Sequence, residues 1–401
     1  MPPFFRALRS RNYRLYFLGQ VVSLVGTWMQ QVAMLWLAYR LYGSALTLGT
    51  VGFASQIPIL VFASLGGVWI DRFDRRRLLL WTQSLSLLQS LLLAVLVWQE
   101  MVSPGLLVLL AFILGCLNAV DVPARQSIAA QLVESPADLQ NAIALNSIVI
   151  QSARFIGPAL AGVVVATVGE AVCFLINAFS YLAVLLALSL IRTTSVRARP
   201  TPTLQALREG FHYARGHRQI RSSLFLVASI SFFATPYTVM MPLFAREIFG
   251  GDASTYGGLI ASAGAGSLLA AVALASLADT RKLQRWIGWA ATLVGISLAV
   301  FAMTPVLGLA YPALAVLGFA VIITFSGSNT LIQTQLAESY RGRVMAIYTM
   351  AFLGVAPLGS LAVGAVAELI DIRLTLVICG AVSLLVALRY RQSAASIEQS
   401  S

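Results

Sequence analysis

The sequence predicts an all-α integral membrane protein with twelve transmembrane helices in two pseudo-symmetric six-helix bundles. Three observations carry this. Hydrophobic residues make up 59% of the 401 and charged residues only 10%, too little polar surface to keep a core of that size in water. Twelve apolar segments are each long enough to cross a bilayer, for which about twenty helical residues suffice. The two halves also repeat one another. Gln131-Leu132-Val133-Glu134-Ser135 returns as Gln335-Leu336-Ala337-Glu338-Ser339 at a spacing of 204, and Ala142-Ile143 as Ala346-Ile347 in the same register.

In order, the first six segments run over residues 14–41, 47–70, 78–98, 104–128, 140–167 and 171–191. The second six run over 221–246, 255–278, 285–303, 307–333, 342–367 and 373–389. Residues 1–191 are thus an N-terminal bundle, 192–220 a basic linker and 221–401 a C-terminal bundle. In the linker, Leu204, Leu207 and Phe211 recur at helical spacing after Pro200 and Pro202, as in a short amphipathic helix on a membrane surface.

Charge placement gives orientation. The net charge is +12, which in a soluble protein points to nucleic acid. Here the external loops hold only Arg40, Arg246 and Arg373, and Arg154 lies within a helix. The other basic residues fall on the side of the connection between the second and third segments. That asymmetry places the connection and both termini in the cytoplasm of a bacterial inner-membrane protein, with no nucleic-acid partner. No cleavable signal peptide is expected.

Several chemistries find no support. Cys116, Cys173 and Cys379 are far apart within apolar runs, and His212 and His217 lie in the linker, so no metal site is expected. No Walker-type loop occurs, and Ala263-Gly264-Ala265-Gly266-Ser267 reads as a close-packing helix stripe. The sequence therefore predicts no enzyme and no cofactor.

Between the second and third segments, Gly67-Val-Trp-Ile-Asp71-Arg-Phe-Asp74-Arg75-Arg76-Arg77 packs charge into a short turn. Gly67, Asp71 and Arg75, with Arg76 beside it, resemble the loop between helices 2 and 3 of major facilitator superfamily transporters; Asp74 departs from it, standing where that loop has Gly. The alternative is a plain topology anchor. The second half holds a weaker echo, in which Ala275-Ser276-Leu277-Ala278-Asp279 leads to Leu283 where the first half has Arg75. Arg154-Phe-Ile-Gly157-Pro158-Ala-Leu-Ala-Gly162 resembles the helix 5 motif of superfamily antiporters, in shorter form. With Asp121-Val-Pro123-Ala-Arg125-Gln126 on the fourth helix, it narrows the resemblance to the drug and siderophore exporter branch, over essentially the whole chain.

That resemblance implies the major facilitator fold with a central cavity between the halves near the midplane. It also implies a gate in which Asp121 bridges to Arg75 while Asp71 faces the N-terminal end of helix 11 near Gly342. Independently, Arg154 lies about fourteen residues into its helix, near the bilayer centre, where a charge is costly unless used. Its alternative is a cation locked in a polar network. Asp121 is the one deep carboxylate, so by elimination it is the candidate for proton coupling; the competing role is a permanent ion pair. Gln20, Gln30, Gln31, Gln56, Asn146, Gln151, Asn329 and Gln333, with Trp28, Trp36, Phe232, Phe233 and Tyr237, suit a small amphipathic organic solute. The midplane cation favours an anionic one. The expected function is monomeric, secondary active export by alternating access with proton antiport, its partners being substrate, protons and the lipid bilayer. The rivals are a lysolipid or lipid flippase, an importer of the same fold, and a receptor or membrane enzyme.

Overall fold

The computed structural model describes residues 3–70, 74–133, 135, 138–191, 204–275 and 280–398. After a 3-10 turn over Pro3–Arg9, the first half runs through α1 (Arg11–Tyr42), α2 (Ala45–Ile70), α3 (Arg75–Trp98), α4 (Pro104–Gln131), α5 (Leu139–Val168) and α6 (Glu170–Leu190). A short α7 (Leu204–Gly216) precedes α8 (Arg218–Phe233), α9 (Tyr237–Leu243), α10 (Ala253–Ala275), α11 (Thr280–Met303) and α12 (Leu307–Gln335). The chain ends with α13 (Arg341–Thr349), α14 (Val355–Leu369) and α15 (Ile372–Glu398). Among the described residues there is no strand. Eleven helical stretches are long and apolar enough to cross a membrane, and the described apolar part of α2, Ala45–Val61, is shorter.

Local chemistry sets the ends. α1 stops where Gly43 takes φ +57° and its N–H donates to the Tyr39 carbonyl at 2.7 Å. Asp74 accepts from the Arg77 N–H at 2.9 Å, so the acid that departs from the family loop is the N-cap of α3. Ser103 caps α4 ahead of Pro104. Two crossings are interrupted. The seventh is not continuous over 221–246: α8 ends at Phe233, Pro236 interrupts the hydrogen-bond ladder, and α9 with a π-helical turn over Phe244–Ile248 completes it. The eleventh consists of α13, a π-helical turn over Met350–Gly354, and α14.

Helices α1 to α6 pack on one another, α1 against α5 and α6 and α3 against α4 and α6, while α8 and α10 to α15 form a second group. Outside, Leu85, Leu88 and Leu92 on α3 and Phe179, Leu182 and Leu186 on α6 stand exposed, an apolar coat that requires lipid.

The groups meet along two seams, α5 on α10 and α2 on α14. Glycine sets both. A Cβ on Gly162 would stand 2.8 Å from the Ala253 carbonyl oxygen, and one on Gly49 2.6 Å from that of Ser360, so only residues lacking a side chain permit this approach. Polar contacts close the same end: the Tyr39 hydroxyl donates to Glu247 at 3.0 Å, and the Ser44 hydroxyl and Leu46 N–H donate to Glu368 at 3.1 and 3.2 Å. Trp36 stacks on Tyr256. This end lies opposite the basic one that carries Arg9, Arg11, Arg14 and Arg75.

Toward the basic end the seam parts. Along one stripe of α5, at about 100° per residue, Val165, Gly162 and Pro158 are buried, Arg154 and Gln151 half-buried, and Ser147 and Ala144 exposed. The face that α10 covers at one end is uncovered at the other, leaving a cleft between the halves that is open at the basic end.

Candidate functional site: the cleft around Arg154

Arg154 stands where that stripe passes from buried to open. It is the sixteenth residue (154 − 138) of the 30 in α5, near mid-depth. Its guanidinium lies 5.3 Å from the centre of the Trp28 ring, while Tyr237, also expected at the site, is buried at 4% exposure. The local sequence builds this arrangement. Gly157 admits Trp28, since a Cβ there would stand 2.5 Å from the Trp28 Cβ. The break at Pro236 starts α9 on Tyr237. Among the described residues, no carboxylate pairs with Arg154. Its planar donor fork lies beside an indole face on α1, an arrangement whose chemistry suits a carboxylate with an aromatic or apolar body. Gln31, one turn beyond Trp28, is exposed, and Gln151 donates to the Ser267 carbonyl across the seam at 3.4 Å.

Asp121 is 1% exposed and does not bridge to Arg75. One carboxylate oxygen accepts from the Thr82 hydroxyl and the Gln83 amide, each at 2.7 Å, and the other pairs with Arg125. Arg125 sits one turn farther along the same helix and also donates to Gln20 at 3.0 Å, so geometry gives it the place the resemblance assigned to Arg75. The spacing of four was the signal available in the sequence.

Other expected cavity residues separate by helix face. Gln20 belongs to the Asp121 cluster and is 3% exposed, so it lies inside the first half. Gln30 is wholly buried: it donates to Gln89 at 2.9 Å and accepts from Ser90 and Asn177 at 2.5 Å each, in a network joining α1, α3 and α6. Neither reaches the cleft, because α3, α4 and α6 cover that face of α1. Gln56 and Asn146 are half-buried; Asn329 accepts from Gln333 at 2.6 Å within α12.

In the loop motif, Arg76 donates to the Leu188 and Ser189 carbonyls at 2.6 and 2.9 Å. Its donors cap the C-terminus of α6 in its own half rather than bridging the two halves. Arg75 heads α3, and Gly67 lies in the last turn of α2. Asp71 and Asp279 fall outside the described residues. In the helix 5 motif, Gly157 meets α1, while Gly162 and the Pro158 carbonyl meet α10.

The two helical bundles, with the family and relatives that they match, are those of a membrane transporter of the major facilitator superfamily, not an enzyme. The model of the transmembrane secretion effector family matches residues 3–399, and the chain belongs to that family. It is 27% identical over 373 residues to the staphyloferrin A transporter of Staphylococcus aureus, covering 92% of each chain. It is 24% identical over 360 residues to the multidrug efflux pump Tap of Mycobacterium tuberculosis, covering 87% of this chain and 85% of the other. Macrolide efflux protein A of Streptococcus pyogenes is 21% identical over 350 residues, 84% of this chain and 86% of the other. Among solved structures, the POT family transporter PepTSo superposes with TM-score 0.77 at 15% identity over 98% of this chain and 99% of the other. A bacterial homologue of ferroportin gives 0.72 at 14% identity over 96% and 98%. These structural matches show the fold.

Proposed function

We propose that this chain is a monomeric exporter of a small amphipathic organic anion, of the siderophore or drug type, across the bacterial inner membrane by alternating access and proton antiport. The observation that carries it is Arg154: a cation at mid-depth, in an open cleft, with an aromatic face beside it and, among the described residues, no carboxylate to neutralise it. Burying such a charge is costly, and a guest anion offsets that cost. The names of the relatives, staphyloferrin A transport and drug or macrolide efflux, support the substrate class and direction.

In this reading the basic end faces the cytoplasm. Substrate enters the cleft from that side, its carboxylate on Arg154 and its apolar body on Trp28. The glycine seams and the Tyr39–Glu247 and Glu368 contacts then part while the basic end closes. Because α10 of the second half packs at Arg154, where a Cβ on Gly264 would stand 2.7 Å from the Arg154 carbonyl oxygen, that rocking changes the surroundings of Arg154 and so its hold on the anion. The coupling proton goes to Asp121, whose protonation removes the counter-charge of Arg125. The competing role of Asp121 is a permanent lock.

Proteoliposomes test both assignments. Transport of an anionic substrate and of its methyl ester is compared in wild type, Arg154→Lys and Arg154→Gln. The neutral variant is expected to lose the anion and keep the ester; wild-type transport of the anion by folded Arg154→Gln refutes the cavity role. In inverted vesicles, Asp121→Asn is expected to lose pH-gradient-driven uptake while retaining substrate exchange. Loss of both in a well-expressed protein assigns the lock.

A further inference from the structure

Away from the central cleft, a groove of about 1050 Å³ lies at the basic end between α7 and the turn that leads into α13. Arg208, Phe211, His212 and Arg215 share one face of α7, at helical spacings of three and four, and all four are exposed. The opposite face is docked. Gly210 and Ala214 are buried, a Cβ on Gly210 would stand 2.9 Å from that of Arg343, and Arg343 pairs with Glu209 at 2.5 Å. Tyr213 stacks on Tyr340 with ring centres 4.3 Å apart, tying α7 to the start of the eleventh crossing. A thirteen-residue helix is marginal alone, and this docking orders it.

The outward face is then a fixed pattern, two guanidiniums flanking an aromatic ring. Among the described residues neither Arg208 nor Arg215 has an ion-pair partner, and the one acid lining the groove, Glu209, is engaged by Arg343. Phe211 is 59% exposed between them, which disfavours a purely aqueous setting. α7 ends two residues before α8 enters the membrane, which puts this face at headgroup depth.

We propose that the groove binds the phosphate headgroup of an anionic phospholipid of the cytoplasmic leaflet. Arg208 and Arg215 take the phosphate, and Phe211 dips among the acyl chains. The proposal rests on the orientation given above, but lipid binding is read without transport, so the two fail separately.

Native mass spectrometry of the full chain, titrated with phosphatidylglycerol and separately with phosphatidylcholine, tests it. Wild type is expected to prefer phosphatidylglycerol. Arg208→Gln/Arg215→Gln weakens that binding about thirty-fold, at roughly 1 kcal/mol per arginine, and Arg208→Lys/Arg215→Lys largely retains it. Arg9→Gln/Arg389→Gln, which removes exposed cations elsewhere on the same end, leaves it within a few-fold. An equal loss in both glutamine variants, or none in either, overturns the proposal. So does displacement of the lipid by glycerol phosphate at comparable concentration, which assigns a soluble phosphate ligand. A photoactivatable phosphatidylglycerol incubated with wild type must label the segment 204–216; labelling only elsewhere also overturns it.

Discussion

Replacing Gly257 by alanine puts a methyl group into the α5–α10 seam. Built on the backbone, it stands 2.5 Å from the Pro158 carbonyl oxygen and 2.7 Å from the Gly162 Cα, against an ordinary contact that begins at 3.4 Å. The obstacle is backbone on both sides, so no side chain can swing away, and the helices must separate by several tenths of an ångström. Overpacking of this kind costs about 1–3 kcal/mol. The gain in helix propensity from glycine to alanine applies to every state that keeps α10 helical, so it cancels from the equilibrium between states. The clash does not cancel, because a state open at this end no longer makes the contact. Gly257→Ala should therefore shift the ratio of the two states about 5–150-fold toward opening at the end opposite the basic face. Spin labels at Met101 and Leu369, 62% and 83% exposed at that end and in different halves, report the change as a population at longer distance. An unchanged distribution in a folded Gly257→Ala protein would mean that the glycine seam is not the element on which the conformational equilibrium turns.

Asp121→Asn leaves Arg125 without its counter-charge inside the first half, and a loss of about 3–5 kcal/mol is expected in unfolding experiments. Adding Arg125→Gln should recover part of it, and a double variant no better than the single refutes the pairing as the cause. Gln30→Leu orphans Gln89, Ser90 and Asn177 and should cost roughly 1–3 kcal/mol, with KM for substrate unchanged in the folded fraction; a raised KM would return Gln30 to the cleft. Asp252 accepts from the Ser254 hydroxyl and the Ser254 and Thr255 N–H groups at the start of α10, and these bonds hold its carboxyl below the usual range. Its stabilisation is present above the ordinary carboxylate pKa and is lost as pH falls through the lowered one. Asp252→Ala should cost about 1 kcal/mol at neutral pH, a difference that vanishes once acid has protonated the wild-type carboxyl, which thermal unfolding of both proteins at pH 7 and in progressively stronger acid checks.

Membrane class, crossing number and the internal repeat were legible in the sequence because each rests on composition or on short-range spacing. So was Arg154, since a charge at the middle of a spanning segment stands out without knowledge of its neighbours. The break before Tyr237 was missed, one segment over 221–246 being expected, although Pro236, which cannot donate a helical hydrogen bond, was the signal available. The cluster at Asp121 was only half legible: Arg125 lay four residues away in plain view, but Thr82, Gln83 and Gln20 come from other helices.

What only the tertiary structure decided was which side of each helix meets which neighbour. Gln30 and Gln31 are adjacent in sequence, yet the first is sealed among α3 and α6 and the second is exposed. In a membrane segment nearly every position is apolar, so the hydrophobic periodicity that orients a helix in a soluble protein is muted. The sequence determined that this chain crosses the bilayer, where it turns and that it carries a cation at mid-depth. Packing between helices distant in sequence determined that the cation lies against Trp28, and that glycine on glycine closes the seam at one end only.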